Sequence, residues 1–169
     1  MTHDEYLKAA NYWKEKDLVS KKINKEELLI KILEYIKSNN TCALATGKDD
    51  FVRCTPIEYS FIDGAFYMFS EGGEKFIGLE NNKNVCLAIY DKYDGFGNLK
   101  GMEIMGKAEI IDLFSEEYIK VATYKKIPLK ALKSLKEPMN LIKVNPLRID
   151  FLNSSFKKDG YSSRQEYVF

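Results

Sequence analysis

The hydrophobic and polar residues of the chain repeat first with the period of helices and later with that of strands. Between Lys25 and Ser38, apolar residues return every three or four positions and predict a helix. Asn24 followed by Glu27 resembles the capping box that begins such helices. A shorter helix is predicted from Asp4 to Lys16, and we expect its Trp13 to pack against the domain.

From residue 41 onward most apolar segments are short and bounded by turn residues, as β-strands are. The predicted strands are Thr41 to Thr46, Phe51 to Ile62, Ala65 to Ser70, Val85 to Asp91, Met102 to Leu113, and Met139 to Leu152 with an interruption at Pro146. Short helices are predicted at Lys75 to Asn81, Ser115 to Lys126 and Pro128 to Lys136. Asp63-Gly64 favours the type I′ turn of a β-hairpin and is the clearest local signal. The tail after Leu152 shows no clear period.

Five or six strands joined mostly by short turns predict a mainly β fold, an antiparallel barrel that is closed or nearly closed, with peripheral helices. The chain contains no internal repeat and no linker that would divide it. We therefore expect residues 1–23 to form an N-terminal helical extension and residues 24–169 to form a single domain.

Charge and hydropathy narrow the possible partners. The 26 basic and 25 acidic residues give a formal net charge of +1, which provides no electrostatic reason to expect a nucleic-acid partner. The segment from Met1 to Lys16 is polar throughout, unlike a signal peptide, and no later segment is apolar for long enough to span a bilayer. We therefore expect a cytoplasmic protein with no membrane partner.

The inventory of histidine and cysteine excludes several kinds of site. The only histidine is His3, so histidine-dependent hydrolase triads, Cys-His proteases and histidine-ligated zinc or haem sites are not expected. Cys42, Cys54 and Cys86 are too widely spaced for a cysteine-only zinc site, and we predict that they are buried, reduced thiols. No metal site is expected. An enzyme of this composition would take its chemistry from a bound cofactor.

One candidate phosphate site stands out in the pattern. Arg53 is one of only three arginines among the 26 basic residues, and its planar fork suits a phosphate better than a lysine does. The hairpin is expected to bring Met68 to Ser70 close to Arg53 and Thr55. Gly72-Gly73 and the helix that starts at Lys75 then follow, a combination that favours an anion. The alternative interpretation is a surface ion pair of Arg53 beside a flexible glycine turn.

In order and spacing, five segments resemble the pyridoxamine 5′-phosphate oxidase-like family of FMN-binding split barrels. They are Thr41 to Thr46, Arg53 to Pro56, Gly64 to Ser70, Lys75 to Leu79 and Asn82 to Leu87. The resemblance covers roughly Asn24 to Phe151. It implies that Arg53 and Lys75 bind the FMN phosphate. It also implies that the backbone of Cys54, Thr55 and Pro56 lines the flavin ring, and that Met68, Phe69 and Ser70 flank the ring and ribityl chain.

The same resemblance implies a flavin-dependent oxidoreductase that acts on a small molecule, with NADH or NADPH as the candidate electron donor. It further implies a homodimer with the flavin between subunits. Glu74-Lys75 replaces the Arg-Lys pair of the vitamin B6 oxidases, whose C-terminal substrate signature is also absent here, which argues against pyridoxamine phosphate as the substrate. Two alternatives remain open: a non-catalytic flavin-binding or sensing protein, and a split barrel that holds haem or a deazaflavin.

Overall fold

The computed structural model describes residues 1–169 as a mainly β protein with one antiparallel sheet of eight strands. The strands are β1 (Thr41–Lys48), β2 (Phe51–Glu58), β3 (Ser60–Ile62), β4 (Ala65–Ser70), β5 (Asn84–Tyr90), β6 (Lys100–Ile111), β7 (Asn140–Asn153) and β8 (Arg164–Val168). The helices are α1 (His3–Leu18), α2 (Lys25–Lys37), α3 (Lys75–Leu79), α4 (Glu116–Tyr124) and α5 (Leu129–Lys133). Short 3-10 helices span Phe96–Asn98 and Ser154–Asp159. The predicted fold class is confirmed.

The sheet curls into a half-barrel, and its longest strand, β7, pairs with three other strands. The order is β2-β1-β5-β6-β7-β4-β3, and β7 also pairs with β8. β7 pairs with β6 along most of its length, with β4 in its first half and with β8 in its second half. β2 and β3 end the path, and no pairing joins them across the gap. The arrangement is a split barrel rather than a closed one.

Two apolar cores fill the two sides of this sheet. The larger core has 23 buried residues, including Ile32 and Ile36 of α2 and the inward residues Leu87 and Ile104 of the sheet. The smaller has nine buried residues and is centred on Tyr118 of α4. Ser115 caps α4 as predicted, its side chain accepting a hydrogen bond from the backbone of Tyr118.

The predicted hairpin forms, but it is shorter than expected. Asp63 and Gly64 have φ of 49° and 83°, the two positive values that a type I′ turn requires. The strand that precedes the turn is broken at Tyr59, whose hydroxyl donates to the carbonyl of Ile36 at 2.7 Å. Of the two strands before the turn, β3 therefore pairs with β4, while β2 pairs with β1. The hairpin does not pair β4 with β2, the strand that contains Arg53, although the two strands are in contact.

Two further expectations need correction, and one is confirmed. The count of five or six strands was too low, because the tail contributes β8 and the long Phe51 to Ile62 segment is two strands. The interruption expected at Pro146 is present as a register shift opposite Met105 and Gly106, and β7 continues past it. Cys42 is buried, whereas Cys86 is half-buried and Cys54 is exposed on the outer side of β2; all three are free thiols.

The first helix lies apart from both cores. Thr2 and Glu5 form a full capping box at its start, yet α1 has no buried residue. Trp13 keeps 48% of its surface exposed, so it packs against the domain on one face only. None of the helices is both long and apolar enough to cross a membrane.

Candidate functional site

The loop between β4 and α3 is built to bring backbone and cationic groups together. Gly72 and Gly73 have φ of 153° and 104°, a conformation that residues with a Cβ rarely adopt. The hydroxyl of Ser70, at the end of β4, bridges the N–H and the carbonyl of Gly72 at 3.3 and 3.2 Å. These two hydrogen bonds close the loop tightly, and α3 begins soon after it at Lys75.

Lys75 is buried at this loop without a carboxylate partner. The residue is only 7% exposed, and its Nζ donates a hydrogen bond to the carbonyl of Gly72. No acidic side chain forms an ion pair with it. Burial lowers the pKa of the Lys75 ammonium, and the nearby positive charge of Arg53 lowers it further. A buried cation in this state gains stability from any anion that reaches the loop.

Arg53 lies beside Lys75, but its guanidinium already has a partner. Its Nη1 is 2.5 Å from Oε2 of Glu74, the residue that precedes α3. Both side chains are largely exposed, so this pair belongs to the class of ion pairs worth at most about 1 kcal/mol. The sequence offered a surface ion pair as the alternative role of Arg53, and that pair is present. Arg53 is nevertheless near enough to Lys75 for its positive charge to lower the pKa of the Lys75 ammonium.

The other predicted site residues fall into two groups. Cys54 and Pro56 are exposed on β2, while Thr55 is half-buried on the opposite side of that strand. Met68 is fully buried in the larger core, and Phe69 packs edge-on against Tyr118, with ring centroids 5.3 Å apart. Met68 and Phe69 thus pack in different cores on opposite faces of β4, and their role beside the flavin stays a prediction. Ser70 does join the loop that holds Lys75.

Two features of the site were missed by reasoning from sequence. The first is Glu74, whose carboxylate accepts a hydrogen bond from Arg53. The second is Thr46 on β1, whose buried hydroxyl has no hydrogen-bond partner. That hydroxyl packs against Gly78 of α3, so it lies beneath the helix rather than in the loop.

A family model described as pyridoxamine 5′-phosphate oxidase matches residues 28–153. No curated protein matches the chain. Among solved structures, a candidate pyridoxamine 5′-phosphate oxidase from Listeria innocua is 24% identical, with a TM-score of 0.59 over 75% of this chain and 98% of that one.

Two further structures with the same fold have different ligands in their names. A FAD-binding protein from Mesorhizobium loti is 17% identical, with a TM-score of 0.58 over 71% of this chain and 90% of that one. HutZ, the heme storage protein from Vibrio cholerae, is 16% identical, with a TM-score of 0.58 over 73% and 91%. At these identities the likeness shows a shared fold alone.

Proposed function

The chain belongs to the pyridoxamine 5′-phosphate oxidase family, and on that premise we propose that it is a flavoprotein that binds FMN and exchanges electrons between FMN and a small molecule. The observation that carries the proposal is the buried, unpaired ammonium of Lys75 beside Arg53. The proposal is supported by the presence of two cations beside a tight glycine loop, a combination that suits a phosphate.

Binding would bring a phosphate next to the pair between Arg53 and Glu74. A phosphate that reaches Lys75 would use N–H groups of the guanidinium that the Glu74 carboxylate leaves free, and the nearby Glu74 charge would weaken that contact. Lys75 would then hold its proton more firmly, because an adjacent anion opposes the lowering caused by burial. When bound, the flavin supplies hydride and single-electron chemistry. The chain would bind the phosphate through Arg53 and Lys75. The backbone of Cys54, Thr55 and Pro56 would line one side of the flavin ring.

The test is a titration of the protein with FMN and with riboflavin, which lacks the phosphate. We expect FMN to bind more tightly in the native chain and Lys75→Met to weaken FMN by about tenfold to one hundredfold, the worth of one charge-assisted hydrogen bond. Riboflavin binding should be nearly unchanged. Methionine fills the space of the lysine stem without a charge, so the fold is retained. Lys130→Met, on the exposed face of α5, is the matched control.

The pH dependence of the same titration provides a second measurement. As pH rises through the lowered pKa of Lys75, the ammonium loses its proton and FMN affinity should fall, while riboflavin affinity stays level. Equal affinity for the two flavins would contradict the phosphate assignment, and so would a Lys75→Met variant that binds FMN like the native chain.

The absorbance spectrum separates this proposal from its alternatives. A bound flavin that NADH or NADPH bleaches supports an oxidoreductase, whereas a bound flavin that no donor reduces supports a non-catalytic flavin-binding role. A haem spectrum would point to the role named for the Vibrio cholerae structure. The only histidine available as a haem ligand is His3, an exposed residue at the start of α1.

A further inference from the structure

The short helix α3 packs against the sheet through the same face that carries Lys75. Its buried residues are Lys75, Gly78 and Leu79. Their spacing of three and four positions places them on one side of the helix, one turn apart. Leu79 is 1% exposed and belongs to the larger core, so this side of α3 is the one that meets the sheet. The distance between α3 and the sheet therefore sets the position of Lys75.

The contact between Gly78 and β1 is closer than a side chain permits. A Cβ at residue 78 would lie 2.8 Å from the backbone nitrogen of Gly47, 2.8 Å from Cβ of Thr46 and 2.9 Å from its hydroxyl oxygen. Thr46 and Gly47 pair in register with Arg53 and Val52 of β2, which hold this part of the strand in place. A side chain at residue 78 would therefore have to lift α3 by roughly 1 Å to reach an ordinary van der Waals distance.

A hydrogen bond just after α3 ties the helix to the same strand. The side-chain amide of Asn82 donates to the backbone carbonyl of Gly47 at 2.8 Å. The hydroxyl of Thr46 has no partner, so the contact at Gly78 contains no hydrogen bond and depends on shape alone. We call these four residues, Thr46, Gly47, Gly78 and Asn82, the α3 seat.

The α3 seat keeps the ammonium of Lys75 out of water. Lys75 is 7% exposed, its Nζ donates to the carbonyl of Gly72, and the positive charge of Arg53 acts on it from β2. If α3 were lifted from β1, water would reach the ammonium, and an anion would then have to displace that water before it could bind. A solvated Lys75 would therefore gain less from a phosphate than the buried Lys75 does.

We propose that Gly78 is a positioning residue of the candidate phosphate site, because only a residue without a side chain lets α3 lie close enough to β1 to keep Lys75 buried. Gly78 acts through Lys75 and has no contact of its own with the phosphate. The inference rests on the proposed function for the identity of the ligand, whereas the position of Lys75 is measurable in the protein without flavin.

The first test is Gly78→Ala. Alanine is a better helix former than glycine, so helix propensity alone predicts a firmer α3, whereas the close contact predicts a displaced one. We expect FMN affinity to fall by about tenfold while riboflavin affinity stays level, because the displacement acts on the phosphate contact of Lys75. Ile77→Ala, at a position of α3 that is 48% exposed, is the matched control and should bind FMN like the native chain.

Two further measurements separate positioning from a general loss of structure. In flavin-free protein, an NMR titration of the lysine side chains should show the pKa of Lys75 rising toward its ordinary value of 10.5 in Gly78→Ala, because burial is the main cause of its lowering. The resonance that is absent from Lys75→Met identifies Lys75. In the Lys75→Met background, Gly78→Ala should change FMN affinity by less than about twofold, since its effect passes through Lys75.

Asn82→Ala loosens the α3 seat without adding a group, so it should shift the Lys75 pKa and FMN affinity in the same direction even if Gly78→Ala does not fold. A native Lys75 pKa in folded Gly78→Ala or in Asn82→Ala would overturn the positioning role, and so would a tenfold loss of FMN affinity that persists in the Lys75→Met background. A native chain that does not bind FMN, with a Lys75 pKa that still rises in Gly78→Ala, would contradict the proposed function alone.

Discussion

At the scale of single residues, Glu74 limits how strongly Arg53 can bind an anion. Its carboxylate already holds Nη1 of Arg53, and a phosphate on the remaining N–H groups would lie close to that negative charge. Lys75 has no such competitor, and it loses nothing when an anion arrives. Arg53 and Lys75 seem equivalent in the sequence, but binding an anion is less favourable for Arg53 than for Lys75.

This difference leads to a pair of opposite predictions. Glu74→Gln should raise FMN affinity by about twofold to tenfold, because it removes both the competitor and a nearby negative charge. Arg53→Lys should lower FMN affinity by about tenfold to two hundredfold, since lysine keeps the charge and loses the planar fork. A fluorescence titration with FMN measures both. Glu71→Gln, at an exposed position on the same loop, is the control.

A lower affinity in Glu74→Gln would mean that Glu74 orients Arg53 toward the ligand rather than competing for it. Unchanged affinity in Arg53→Lys would reduce Arg53 to a structural ion-pair residue. Lys75 alone would then bind the phosphate.

At the scale of elements, the path of β7 decides the shape of the barrel. Gly106 of β6 pairs with Pro146, and the register shift leaves Leu147 as the extra residue. A Cβ at Gly106 would lie 2.6 Å from the carbonyl oxygen of Asn145 and 2.8 Å from the side chain of Val144. The two strands can approach this closely only because residue 106 has no side chain.

Gly106→Ala should therefore lower the free energy of unfolding by about 1 to 3 kcal/mol, the usual cost of forcing an extra group into packed structure. Urea denaturation measures the change. Gly97→Ala is the matched control, because a Cβ there meets no atom within 4 Å, and it should change stability by less than about 0.5 kcal/mol. Equal effects in both variants would show that the bulge tolerates a side chain.

A polar network joins α4 to β4 and β7 and makes stability depend on pH. Glu117 accepts a hydrogen bond from the hydroxyl of Tyr67 at 2.7 Å and an ion pair from Lys143 at 2.9 Å. The hydrogen bond from Tyr67, followed by that from Lys143, lowers the pKa of the Glu117 carboxyl from its ordinary value of 4.5. A carboxyl with a lowered folded pKa stabilises the protein above its unfolded pKa.

Glu117→Gln should therefore reduce stability by a constant amount above pH 4.5, and the difference from the native chain should shrink as pH falls through the lowered pKa. Urea denaturation at a series of pH values measures this. Glu116→Gln, the exposed neighbour without an ion pair, should show no such dependence. A difference between Glu117→Gln and the native chain that persists at low pH would mean that the carboxylate charge is not the cause.

At the scale of the whole molecule, the sequence predicts what local patterns encode and misses what distant segments build. The helix α2, the hairpin turn and the cap of α4 are set by neighbouring residues and were all predicted. The strand β8 was missed because one of its two inward residues is Gln165, whose buried amide bonds to Ile23 and Ser162 at 3.0 and 2.7 Å. The pair of Arg53 with Glu74 depends on packing between segments that no local pattern connects.

The quaternary structure is the last property that the fold allows us to predict. Ala45 lies directly between Cys54 and Cys86 on neighbouring strands, and Val52 in the same region is 79% exposed. Small apolar side chains on an uncovered sheet face suit a second copy of the chain related by a twofold axis. We expect a homodimer by light scattering and a monomer in Ala45→Arg, with Ala131→Arg on α5 as the dimeric control. We expect the Ala45→Arg monomer also to lose FMN, because the family resemblance implies that the flavin lies between subunits. An FMN-loaded native monomer, or an Ala45→Arg dimer, would place the subunit contact elsewhere.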